Sequence, residues 1–124
     1  MRYALFAVSM MLLVSDGQAQ DVARDRYQDI RPLMVAAIDA PGGQSFGILS
    51  GQVADALTQK FGGTSPIYID VSTERRFRQT GCSRLKVLFW QDGVLLPGAP
   101  APRKQTIEFG LNYCRDGSAP KALS

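Results

Sequence analysis

The spacing of apolar residues changes character along this chain, and each change predicts an element. Between residues 50 and 61, Val53, Leu57 and Phe61 recur every four residues with Ala54 beside them, while Gln52, Asp55, Gln59 and Lys60 fall mainly on the wetter side. That is one apolar stripe on a helix. Ser50 suits its N-cap and Gly62-Gly63 its C-terminal stop. Beyond the glycines the period becomes two. Ile67, Ile69 and Val71 alternate with Tyr68, Asp70 and Ser72. Leu85, Val87 and Phe89 alternate with Arg84, Lys86, Leu88 and Trp90. Ile107, Phe109, Leu111 and Tyr113 alternate with Thr106, Glu108, Gly110 and Asn112. These read as strands near 66–72, 84–91 and 105–113. The intervening DGVLLPGAPAPRK is too rich in Pro and Gly to be strand throughout.

Two segments stay open on pattern alone. In LMVAAIDA after Pro32, Val35 favours a strand and the alanines favour a helix, so residues 33–38 could supply a fourth strand. Residues 20–31 are polar and charge-mixed and read as a short helix or a mobile arm. Asp39 to Gly43 (DAPGG) is turn chemistry.

A register follows from one assumption. If Cys82 lies opposite Cys114 in an antiparallel pair, Leu85 meets Leu111, Val87 meets Phe109, and Phe89 meets Ile107. All three pairs are apolar and share a face, whereas the cysteines have the other parity and fall on the outer face. The assumption and the apolar pattern agree, although they were read separately. The expected fold is α+β: an antiparallel sheet of three to four strands, one main helix (50–61) packed on its apolar face, and a disulfide-stapled hairpin.

The first twenty residues, MRYALFAVSMMLLVSDGQAQ, have the layout of a secretory signal. Arg2 is the positive start, and Ala4 to Val14 is an apolar run too short for a bilayer span of about 20 residues. Gly17 and Ala19 place small residues at −3 and −1. A signal peptide over 1–19 is expected, then a single small domain over 20–124 with flexible ends, located in the periplasm or secreted. No later segment reads as a membrane span. An oxidising compartment would pair the two cysteines, the only ones in the chain.

Composition removes several chemistries. The 124 residues include no histidine. Ser-His and Cys-His catalytic pairs, histidine metal ligands and a histidine pH switch are therefore excluded. No cofactor and no metal are expected. GILSG (47–51) has its serine in the wrong place for a hydrolase elbow. No Gly-rich phosphate loop is present. Asp55, Asp70, Glu74, Asp92 and Glu108 show no spacing that implies a paired acid–base site.

Charge supplies the first candidate surface. Net charge is only +3, but from residue 75 to 104 there are seven basic residues (Arg75, Arg76, Arg78, Arg84, Lys86, Arg103, Lys104) and one acid, Asp92. From residue 20 to 74 there are four basic and seven acidic residues. Such a basic patch suits an acidic protein, anionic head groups or peptidoglycan carboxylates, or is simply a solvated strand face. The expected compartment argues against nucleic acid. Val94, Leu95 and Leu96, followed by a Pro-rich stretch, either dock in a partner or fold back to cap the core. Trp90, on the outer face, either covers the sheet against the N-terminal segment or anchors an interface.

The two cysteine-bearing segments, FRQTGCSRLKVLFWQDGVLLPG and IEFGLNYCRDGSAP, resemble small exported proteins encoded with conjugative plasmids and other type IV secretion systems. The likeness covers about residues 76–120. It implies a periplasmic, non-enzymatic accessory of conjugal transfer or type IV secretion that binds other envelope proteins. Its expected contact residues are Arg75, Arg76, Arg78, Arg84, Lys86, Trp90, Val94, Leu95 and Leu96. The rival expectation is a small secreted effector or toxin-like enzyme working through Asp and Glu side chains. Oligomeric state is not legible.

Overall fold

A computed structural model describes residues 22–124; the expected leader lies outside the described residues. In chain order the elements are β1 (Asp25–Tyr27), α1 (Arg31–Asp39), β2 (Gln44–Leu49), α2 (Gln52–Phe61), β3 (Ile67–Arg76), β4 (Cys82–Val94) and β5 (Arg103–Cys114). The strands form one sheet in the order β1-β2-β3-β4-β5. All neighbours are antiparallel except β1 and β2, which are parallel. The fold is α+β as expected, but the sheet has five strands and is mixed.

The hairpin register holds residue for residue. Cys82 lies opposite Cys114, Leu85 opposite Leu111, Val87 opposite Phe109 and Phe89 opposite Ile107. The disulfide is formed, with the two Cα atoms 4.0 Å apart. The cysteines are on the face opposite Leu85 and Val87, as parity requires. They are nevertheless buried, because Phe77 packs over them.

The helical expectation needs correcting. The 33–38 segment is no fourth strand; it is the heart of α1. Pro32 sits in the first turn, where a missing N–H costs nothing. Leu33, Met34, Ala37 and Ile38 form the buried stripe of α1. They pack on Ile69, Val71, Leu85, Val87 and Tyr113 to make the core. The helix over 52–61 also forms, ended by Gly62 in the left-handed conformation. It does not cover the core: only Ala54 is buried, and Val53 is 71% exposed.

Topology explains the exchange. β1 and β2 are parallel, so the chain between them must cross a face of the sheet, and α1 is that crossover. β2 and β3 are antiparallel neighbours and need no crossover. The α2 excursion is therefore left at one end of the sheet, tethered by hydrogen bonds. Gln91 Nε2 donates to Thr58 Oγ1 at 2.8 Å, and Leu95 N donates to Phe61 O at 2.9 Å.

The described parts of both ends make hydrogen bonds to the rest of the chain. Arg24 is anchored on the sheet, as set out below. The C-terminal residues meet the β3–β4 turn: Arg78 N donates to Ser124 O at 2.9 Å, and Lys121 N to Gln79 Oε1 at 2.8 Å.

Candidate binding surface

The sheet has two faces of different chemistry. The α1 face carries the odd-numbered residues of β3 as far as Thr73, of β4 as far as Gln91, and of β5 from Gln105 to Tyr113. Because α1 covers only the half near Val71, Leu85 and Tyr113, the other half is open. There Leu49, Leu57, Phe61, Phe89, Leu96 and Ile107 line a groove of about 450 Å³. Among the described residues, the exposed large apolar side chains other than Leu123 lie on α2, on the segment after β4 or on β5: Val53, Leu57, Leu95, Leu96, Ile107 and Phe109. Gathering such residues on one side is the signature of a contact surface, whereas scattered ones are ordinary.

The segment that followed β4 in the sequence argument is thereby split. Val94 is buried at 5% exposure, while Leu95 and Leu96 are 46% and 40% exposed. One residue folds back and two face outward. The irregularity between Gln91 and Val94 lets consecutive apolar residues part in this way.

The opposite face carries no helix. Its centre is Arg24, whose side chain is 5% exposed. The guanidinium lies 4.7 Å from the Tyr68 ring, 5.6 Å from Phe46 and 5.7 Å from Trp90. Its Nη2 is 2.8 Å from Asp70 Oδ1, and its Nη1 donates to Gly47 O at 3.0 Å. Trp90 Nε1 donates to the other carboxylate oxygen at 2.9 Å, and the Tyr68 and Trp90 rings are 4.2 Å apart. This cage of aromatic rings around a paired cation lashes the N-terminal segment to the sheet. Trp90, 8% exposed, therefore covers the sheet against that segment. Lys104 Nζ sits 4.3 Å from the Trp90 ring.

The basic residues do not form one patch. The bulge between Thr73 and Arg75 re-aims β3 by one residue. Arg76 consequently turns to the α1 side and donates to Ile38 O at 3.0 Å and Ala40 O at 2.9 Å. Ile38 is in the last turn of α1 and Ala40 is its C-cap, where a cation is favoured. Arg75 lies 4.9 Å over the Phe77 ring, beside the C-terminal residues. Arg78 is exposed at the β3–β4 turn. Arg84 and Lys86 stay on the outer face of β4. Arg84 reaches Asn112 at 3.3 Å, and Lys86 is 4.0 Å from Glu108.

Sequence reasoning left out of the site the exposed Leu57, Ile107 and Phe109 and the buried Arg24. For Leu57, Ile107 and Phe109 the apolar pattern was visible but was assigned to the core. Arg24 gave no signal, since its partner Asp70 is remote in the chain.

Among the described residues no helix is long and apolar enough to cross a membrane, and no group of three or more Cys, Asp or Glu side chains could hold a metal ion. No protein-family model, curated protein or solved structure matches the chain.

Proposed function

We propose that this protein is a non-enzymatic binding or assembly accessory of the periplasm, serving conjugal transfer or type IV secretion. The observation that carries the reading is the open apolar groove between α2 and β5, ringed by Leu57, Leu96 and Ile107. Its occupant is a segment of an envelope protein that presents a few aliphatic or aromatic side chains flanked by acidic residues. The apolar lining selects the first feature. The second follows from Lys60, next to Phe61 on α2, and Arg103, opposite Val94 at the end of the groove.

Two further observations support binding over acid–base chemistry. The disulfide suits an oxidising compartment. Several carboxylates are engaged by arginine: Asp70 by Arg24, Asp39 by Arg115 and Asp29 by Arg31. The hydrogen bond from the Arg31 side chain holds the Asp29 carboxyl below its ordinary range, and the Ser118 hydroxyl does the same for Asp116. The arginine pairing orients Asp70, Asp39 and Asp29 as structural anchors.

The test joins stability to function. Leu57→Asn with Ile107→Asn should leave the melting temperature within a few degrees of wild type, because both side chains are exposed. Deleting the gene from its native host should lower conjugal or effector transfer, and the double variant should fail to restore it. Undiminished transfer after deletion, or full restoration by the double variant, contradicts the reading.

A further inference from the structure

We propose that two copies of this chain pair through their β5 strands, antiparallel, about a two-fold axis at Phe109, joining the two sheets into one. This goes beyond the function proposed above and does not rest on it.

The two edges of the sheet are unequal. One edge is β1, only three residues long. The other is β5, twelve residues without a proline, and among the described residues no strand lies against its outer side. Long, unprotected edges of this kind accept another strand.

The hydrogen-bond phase of that edge can be derived. Directly opposite residues about 4.5 Å apart at Cα form the non-hydrogen-bonded pairs of an antiparallel ladder. Cys82 and Cys114, at 4.0 Å, are such a pair, and Cys114 N accordingly points away from β4, donating to Ser118 O. Alternation then directs the N–H and C=O groups of Thr106, Glu108, Gly110 and Asn112 outward. Ile107, Phe109 and Leu111 bond inward to β4.

A register centred on Phe109 satisfies both backbone and side chains. With Phe109 opposite its symmetry mate, Glu108 faces Gly110 of the second copy and Thr106 faces Asn112. These four outward-facing residues in each copy then make about eight backbone hydrogen bonds. On the α1 face, Ile107 meets Leu111 on either side of the Phe109 pair, so exposed apolar residues cover each other. Ile107 is 68% exposed and Phe109 is 39% exposed. Shifting the register so that Glu108 meets itself would oppose two like charges, which is unfavourable.

Charge complementarity favours this register. Gly110 has no side chain, and the Arg84 guanidinium lies over it: a Cβ there would be 2.6 Å from Arg84 Nη2. Glu108 of the other copy stands directly opposite Gly110, and so comes beside this Arg84. The symmetry makes two such ion pairs. Within one chain Glu108 has only the loose 4.0 Å approach of Lys86.

The experiment uses the exported, oxidised protein. Analytical ultracentrifugation in the high micromolar range should show twice the chain mass. Phe109→Cys should give a disulfide-linked dimer on a non-reducing gel, because its symmetry mate sits in a non-hydrogen-bonded pair at bridging distance. Ile107→Cys should not, its mate being displaced four residues, about 13 Å, along the strand. Glu108→Arg and Arg84→Glu should each yield a folded monomer by circular dichroism, and combining them should restore the dimer. A monomeric wild type would leave the edge to a strand of another protein and overturn the pairing. So would cross-linking through Ile107→Cys but not Phe109→Cys, or a combined charge variant that stays monomeric.

Discussion

Replacing both Cys82 and Cys114 by Ser should lower the unfolding free energy by roughly 3–4 kcal/mol, the chain-entropy value for a loop of about 33 residues. The bridge joins directly opposite residues of neighbouring strands and so ties the end of β5 to β4. It also matters more here than in a larger domain. β5 is an edge strand whose middle is exposed on both faces, from Thr106 to Gly110. The connection before it, residues 95–102, holds no regular element. A small domain has little apolar burial to spare. Urea unfolding of the oxidised protein and of the double variant measures the difference in midpoint at constant slope. A loss under about 1 kcal/mol would mean that the β4–β5 ladder stands without its staple.

Leu33→Ala should cost roughly 2–5 kcal/mol, whereas Leu57→Ala should cost well under 1 kcal/mol. The contrast separates the two helices. Leu33 is 1% exposed beneath α1, against the sheet core. Leu57 is 40% exposed on α2, at the rim of the groove. A reading of periodicity alone reverses this order, since α2 has the cleaner stripe. Thermal unfolding of the two single variants decides it, and equal losses would place α2 in the core after all.

The parts legible in the sequence were those where two independent constraints met. In β4 and β5 the alternation of Leu85, Val87 and Phe89 with Ile107, Phe109 and Leu111 had to agree with the cysteine positions, and only one register does so. α1 was ambiguous because its nine residues hold only about two and a half turns of pattern, and its helical state is set by the parallel crossover between β1 and β2. β2 was missed because its alternation is inverted. Ser45 and Gly47 face α1, where Ser45 Oγ donates to Leu33 O at 2.6 Å and a Cβ on Gly47 would strike Tyr27 and Leu33. Its apolar members Phe46 and Ile48 face the other way, Phe46 toward Arg24.

The candidate surface was less legible for a related reason. Sequence spacing shows which residues share a face but not whether another element covers that face. Val53, Leu57, Ile107 and Phe109 carry the pattern of a core, and α1 fills only half of the space they border. The basic run from Arg75 to Lys104 was divided by the pleat and by the bulge after Thr73, so neighbours in sequence point to different faces. Arg76 became a helix-end ligand. Arg84 and Lys86 remained on the outer face, beside Asn112 and Glu108 of β5.

Backbone amide hydrogen exchange on the oxidised protein tests most directly whether α1 alone closes the sheet and leaves the α2 side open. Protection within α1 should approach that of the β3 and β4 core, near the global unfolding limit, while α2 should exchange through local opening at far lower protection. An α2 protected as strongly as α1 would contradict the account, because the groove beside it would then be a sealed part of the core.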